Sequence, residues 1–402
     1  MTRFGKISCV ALLMMYQFLS GCQGQESSNS RANNQDVDKT APDKYGMPAT
    51  LVARDTSAAW HEPGQKLLVT GTVYKAGGKI PAPGVIIYYY HTNTAGKYQH
   101  KPKETRSLPP NRERQTHGYI RGWVKSDSNG RYAIYTLRPG VYPTRDEPAH
   151  IHLTLQEPAL EKSYYIDEFV FDDDPLLTSA KRKKLENRGG SGMLRVLIQG
   201  DLQIAEHDII LGLNIPDYQA KSASDIQSGP EIGEDQPSFT PFHAFGPDKG
   251  SKACPVCKYG RYHGILYFVG DHPDWASIKT WLTFLDEQSS LRRDSLKAYF
   301  VYGNSDQYDD AFRNKMLLAL GNELGLKNLA LTFVPSFSDT KSDIALVKIN
   351  PSVENTFIIY RHRTVVGKFI NLAPTKENFE QIVAVLQKTK GDFFHLQEPA
   401  HD

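Results

Sequence analysis

The stretch GVYPTRDEPAHIH, residues 140–152, places Tyr142 eight residues ahead of two histidines, His150 and His152, separated by one isoleucine. The run HIHLTLQ (150–156) reads as a β-strand, and alternate side chains of a strand point to the same face. An H-x-H pair on a strand therefore aims two imidazoles at one point. That geometry suits a metal ion, although imidazole alone fits zinc, copper, iron or nickel equally well.

Working outward, residues 61–217 are built from short β-rich runs divided by Gly, Pro and Asp turns. KLLVTGTVY (66–74), GVIIYYYHT (84–92), GRYAIYTL (130–137), DEFVF (167–171), MLRVLIQ (193–199) and HDIILGLNI (207–215) are the other expected strands. One basic segment, LLTSAKRKKLEN, is expected to be helical. This spacing predicts an all-β sandwich. Residues 218–240 turn polar, with scattered Gly and Pro, and read as an interdomain linker. From 241 to 392 the period changes to alternating strands and helices, closing with a hairpin through Arg361-His362-Arg363 and a final helix near KENFEQIVAVLQK. The prediction there is an α/β domain. Its order, with Pro351 shortly before the penultimate strand, resembles the thioredoxin and peroxiredoxin superfamily.

The first 22 residues read as a targeting segment: Arg3 and Lys6 precede an apolar run that ends in Leu19-Ser20-Gly21-Cys22. That ending resembles the lipobox of bacterial lipoproteins, which implies lipidation at Cys22 and a membrane anchor in the cell envelope, with Gln23 favouring the outer membrane. Residues 23–60 read as a flexible tether. The 47 basic and 45 acidic residues leave a net charge of +2 with no long basic run, so nothing points to nucleic acid. With Cys9 removed and Cys22 lipidated, only Cys254 and Cys257 of the four cysteines remain, which excludes a disulfide scaffold but not one local pair.

Four residues of the first domain belong together. Tyr98 lies in NTAGKYQHK and Tyr142 in RPGVYPTR; His150 and His152 complete the set. A Gly-x-Tyr segment after a strand, a PG-x-Y-P turn and PAHIH, in that order, resemble the intradiol ring-cleavage dioxygenase family of the catechol and protocatechuate type. DSNGRYAIY, DDDPLL and HDIILGLNIP extend the resemblance, which covers roughly residues 64–217. It implies that Tyr98, Tyr142, His150 and His152 ligate Fe(III). The substrates implied are a catechol-like aromatic and O2, in the breakdown of aromatic compounds, and the resemblance allows a homo-oligomer. Tyr142 is implied as the tyrosinate that leaves and acts as base, and Tyr98 as the one that stays. Physical chemistry agrees: phenolate is a hard anionic donor that favours a trivalent ion, and a phenol titrating near ~10 needs a strong Lewis acid to stay ionised. Tyr88, Tyr89, Tyr90, Tyr119, Tyr132 and Tyr135 are expected to pack rather than ligate.

Two departures stand out. Glu147 sits where the family's well-known enzymes commonly carry Arg, and only seven residues separate Tyr142 from His150. Arg145 is the expected substitute substrate contact. In the second domain, KACPVCKYG sets Cys254 and Cys257 at redox-motif spacing, in a loop before a strand with no activating helix evident. A disulfide switch, a metal site with His243 or His263, and a structural disulfide are the open readings.

Overall fold

The computed structural model describes residues 41–160, 162–218, 226–293, 295–306 and 308–399. The expected signal peptide, the lipidation at Cys22 and residues 23–40 of the expected tether lie outside the described residues. Residues 41–60 are not a free tether: Arg54–Thr56 pairs with Ala133–Tyr135, and Asp55, Ser57 and Ala59 are buried, contacts that polar composition does not reveal. No helix among the described residues is long and apolar enough to cross a membrane. Residues from Pro42 onward form one compact unit.

Its first half holds strands β1 (Arg54–Thr56), β2 (Lys66–Tyr74), β3 (Ile86–Tyr90), β4 (Arg121–Lys125), β5 (Arg131–Leu137), β6 (His150–Gln156), β7 (Tyr164–Tyr165), β8 (Phe169–Phe171), β9 (Met193–Leu194), β10 (Leu197–Gln199), β11 (Leu202–Glu206) and β12 (Ile209–Ile210), with a short helix α1 (Ser179–Arg182). They make two sheets. One runs β1-β5-β2-β11-β10 with β12 on β2; the other runs β4-β3-β6-β8-β9 with β7 on β6. Leu67, Val69, Tyr132 and Ile134 of the first sheet meet Ile87, Tyr89, Ile151 and Leu153 of the second in one fully buried core. The sandwich of the sequence reading is present, with local differences: β1, β4, β7 and β11 were not among the expected strands, and the expected strand 207–215 is a strand only over Ile209–Ile210. The run 193–199 is split into β9 and β10, and the helical stretch shrinks to four residues.

The second half holds β13 (Phe242–Phe245), α2 (Pro255–Tyr259), β14 (His263–Val269), α3 (Trp275–Leu291), β15 (Leu296–Tyr302), α4 (Asp310–Glu323), β16 (Leu329–Phe333), β17 (Thr356–Arg361), β18 (Thr364–Ile370) and α5 (Lys376–Lys388). The sheet order is β13-β16-β15-β14-β17-β18. β14, β15 and β16 are parallel; β13, β17 and β18 run against their neighbours. Because β14 is buried on both faces, it reads as a continuous apolar run rather than an alternating one. Ile278 and Trp281 of α3, Leu317 of α4 and Ile382 of α5 cover one face of the sheet. The other face carries Phe239, Val256, Phe337, Ile344 and Val347, from α2 and loops.

The described part of the expected linker, residues 226–240, runs along the edge of this sheet. Gly233 N–H donates to the Val365 carbonyl at 2.8 Å, Val365 N–H to Glu234 at 2.9 Å and Gln236 N–H to Arg363 at 2.7 Å. Polar composition marked a tether, but these backbone groups extend an edge strand that composition does not reveal. The tail beyond 392 also packs: Phe393 and Leu396 lie on Leu68, Ala133 and Ile204 of the sandwich, and Gln397 bridges to Ile198. Arg361 pairs with Glu206 between the halves.

Two predictions follow from this packing. Gly264 faces Tyr360 across β14 and β17, where a Cβ would stand 1.9 Å from the phenol ring carbon. Gly264→Ala should cost roughly 1–3 kcal/mol or more in chemical denaturation, with partial recovery in Gly264→Ala/Tyr360→Leu. Burial pushes the His207 imidazole down to about 4, and burial with the Arg361 and Arg292 charges pushes His263 down to about 3, from 6.5. Between those values the unfolded chain binds protons that the folded chain refuses. Their stabilisation is therefore full above about pH 6.5 and is lost as pH falls toward the folded values, on the order of 3 kcal/mol for His207 and 5 kcal/mol for His263. A urea-midpoint series from pH 7 to 4 should fall steadily, and the slope should flatten in His207→Gln.

Candidate metal centre

Strand β6 has two faces. Ile151 and Leu153 enter the sandwich core, while His150 and His152 point outward. Register puts Tyr90 directly opposite His152 and Tyr88 opposite Thr154, so the outer face is aromatic. There Tyr88, Tyr90 and Trp123 form a cluster that Tyr98 joins.

Two loops bring the tyrosines over this face. Gly96 has φ +72°, and a Cβ on it would stand 1.8 Å from the Val141 carbonyl oxygen. A Cβ on Gly140 would stand 2.4 Å from the Thr94 carbonyl oxygen, and Gly140 N–H donates to the Asn93 carbonyl at 3.0 Å. The Gly-x-Tyr and PG-x-Y segments are thus zipped together through glycines with no room for a side chain.

The result is a closed ring of four donor atoms. Tyr98 Oη lies 2.8 Å from Tyr142 Oη, Tyr142 Oη 3.0 Å from His150 Nε2, His150 Nε2 3.1 Å from His152 Nε2, and His152 Nε2 2.9 Å from Tyr98 Oη. Two ligands each ~2.1 Å from one ion stand at most ~4.2 Å apart, so every neighbouring pair is compatible with a shared ion. The outer imidazole nitrogens are engaged by acceptors: His150 Nδ1 faces the Pro148 carbonyl at 2.8 Å and His152 Nδ1 faces Glu168 at 3.4 Å. A proton on each Nδ1 directs both Nε2 lone pairs into the ring. Two such lone pairs 3.1 Å apart repel, and a cation between them removes that cost.

Electrostatics favour a highly charged cation. Burial raises the Tyr98 phenol well above its ordinary range; burial, then Glu147, Glu168 and Asp146, raise Tyr142. Burial and the neighbouring His152 hold His150 down. Only a strong positive charge at the centre offsets those penalties and ionises both phenols. The hydrogen bond with His152 keeps the Glu168 carboxyl well below the usual range, leaving a fixed negative charge beside the ring. Among the described residues no three His, Cys, Asp or Glu side chains converge as a metal-binding group, so the candidate set is this mixed phenol–imidazole one.

Arg145 lies on an exposed turn with φ +55°, its N–H donating to the Tyr142 carbonyl at 2.8 Å. Glu147 is exposed beside it. Several residues that shape the site carry no signal in a motif. Tyr90 stacks on His152 at 4.5 Å, and His117 stacks on Tyr90 at 3.7 Å. Asp174 Oδ2 accepts the Ala149 N–H at 2.8 Å, fixing the start of β6; Asp173 forks onto Arg138 at 2.7 and 2.8 Å, fixing the turn that carries Tyr142. The run DDDP was visible, but its role needs the fold.

The sulfurs of Cys254 and Cys257 are bonded to each other, away from this ring. Cys254 caps a five-residue helix, α2, with Pro255 at its first turn. That corrects the expectation of a loop with no helix; the Cys254 cap and Pro255 start the helix locally, in a stretch too short to show apolar periodicity. His243 Nε2 bonds instead to the Ala253 carbonyl and His263 Nε2 to Thr389.

Residues 48–185 match the family model described as Dioxygenase. The chain is 32% identical over 121 residues to the protocatechuate 3,4-dioxygenase beta chain of Burkholderia cepacia, a match covering 28% of this chain and 48% of that relative, so it spans about half the relative's length. Among solved structures, hydroxyquinol 1,2-dioxygenase from Pseudomonas putida DLL-E4 aligns at 21% identity and a TM-score of 0.30, over 46% of this chain and 68% of that one. Catechol 1,2-dioxygenase from Acinetobacter sp. ADP1 aligns at 17% identity and 0.29, over 44% and 62%. The family match and the sequence relative support the intradiol dioxygenase family for the first half of the chain.

Proposed function

We propose that Tyr98, Tyr142, His150 and His152 hold Fe(III), and that this domain cleaves a catechol-type ring between its hydroxyl-bearing carbons with both atoms of O2. The observation that carries the reading is the closed ring of four donors in a chain of this family. Ferric iron there would supply Lewis acidity toward the two catechol oxygens. Tyr142 is the less enclosed of the two phenols and sits on a turn, so it is the one free to swing away and take the proton of a substrate hydroxyl. Tyr98, packed against Tyr90 and zipped by Gly96, stays. His150 and His152, their rings fixed by Pro148 and Glu168, would hold the metal from strand β6. Arg145 is proposed as a substrate contact, since its exposed turn adjoins Tyr142. For the second half we propose the thioredoxin-like arrangement expected from its strand–helix order and closing hairpin.

Iron-loaded protein should be burgundy from tyrosinate-to-iron charge transfer and should consume oxygen with at least one member of a catechol panel. Tyr142→Phe and His150→Ala should each weaken iron binding by at least about 100-fold and bleach the band. Colour without oxygen uptake on any catechol would leave a binding protein and defeat the catalytic reading. Asp174→Ala, which frees the Ala149 N–H, should lower iron affinity by roughly 10–100-fold while the circular dichroism spectrum stays that of the parent.

A further inference from the structure

A cleft of about 1130 Å³ opens between the sandwich and the mixed sheet, and both Cys254 and Cys257 line it. Asp172, Arg182 and Arg195 form its sandwich side; Asp235 and Arg363 lie across from them. The two cysteines differ. Cys257 is exposed, whereas Cys254 is half-buried against the core beneath the sheet, and its Sγ accepts the Cys257 N–H at 3.0 Å. Pro255 and Val256 between them are buried, and a Cβ on Gly260 at the end of α2 would stand 3.0 Å from Arg363 Cγ.

A structural staple explains this poorly. The bond closes a loop with only two residues between the cysteines, which removes little entropy from the unfolded chain. The helix is already specified by the Cys254 cap and Pro255. The bond instead presents its exposed sulfur, Cys257, to a cleft too large for a small thiol alone, a little above the small-molecule pocket range of roughly 300–1,000 Å³.

We propose that Cys254–Cys257 is a thiol–disulfide exchange site for a cysteine-bearing protein segment that docks in this cleft, with Cys257 as the sulfur attacked and Cys254 as the leaving group. A partner thiolate attacks Cys257 Sγ, forming a partner–Cys257 disulfide as the Cys254–Cys257 bond breaks. Cys254 departs with the electron pair as a thiolate, which keeps the Cys257 N–H as its donor. A second partner thiol then attacks the partner's own sulfur and releases Cys257 as a thiolate. The partner dithiol ends as a disulfide, and the pair ends reduced by two electrons, its protons drawn from the partner thiols through solvent. Both cysteines line the cleft, but Cys257 is exposed and Cys254 half-buried, so the polarity is set by burial.

The test uses the full chain carrying Cys9→Ser and Cys22→Ser, so that only the pair reacts. A dithiol peptide of about eight residues should make both cysteines alkylatable without denaturant and with unchanged circular dichroism, and glutathione at equal thiol concentration should act about tenfold more slowly. With a thionitrobenzoate-activated peptide, Cys254→Ser should form its adduct at Cys257 about tenfold faster than Cys257→Ser forms one at Cys254. Alkylation only after denaturation, or faster reaction at Cys254, overturns the exchange site. Equal rates with glutathione overturn the protein partner.

Discussion

Strand β6 carries two obligations at once. Its odd residues, Ile151 and Leu153, are fully buried between the two sheets, and its even residues, His150 and His152, face outward against Tyr90. The period of a strand allows no compromise between them. A slip of one residue would move both imidazoles into the core and expose the apolar pair. The sandwich core therefore sets the aim of the histidines, and the loops that deliver Tyr98 and Tyr142 close onto a position already fixed.

Around that strand the site is braced by groups with no chemistry of their own. Asp174 holds the backbone at Ala149, Asp173 and Arg138 hold the turn ahead of Tyr142, and Pro148 and Glu168 fix the outward imidazole nitrogens. Stacking of Tyr90 on His152, and of His117 on Tyr90, adds a rigid apolar backing. Charge follows the same plan. The ionisable neighbours that raise Tyr142 are carboxylates, Glu147, Glu168 and Asp146, which favours a cation at the centre.

The two halves share more surface than their separate sheets suggest. The segment after the sandwich joins the edge of the mixed sheet through β18, and the terminal tail returns to cover Leu68 and Ile204 of the sandwich. The largely buried pairs Arg361 with Glu206 and Arg195 with Glu398 tie these crossings. Between them lies the cleft that both cysteines line.

Periodicity alone marked the sandwich, the helices α3, α4 and α5 and the closing hairpin, because long elements repeat their apolar pattern often enough to be read. The four donors were legible because each stands in a short motif whose turn chemistry is local: glycine before Tyr98, Pro-Gly before Tyr142, alternation at His150 and His152. Strands β1, β4, β7 and β11 and helix α2 were not, since such pieces are too short to show a period. The roles of Asp173, Asp174, Glu168 and Tyr90, the packing of residues 226–240 and the exposure of Cys257 over Cys254 were decided only by tertiary structure. Each depends on contacts between residues far apart in sequence, and a pattern along one chain carries no record of what lies across from it.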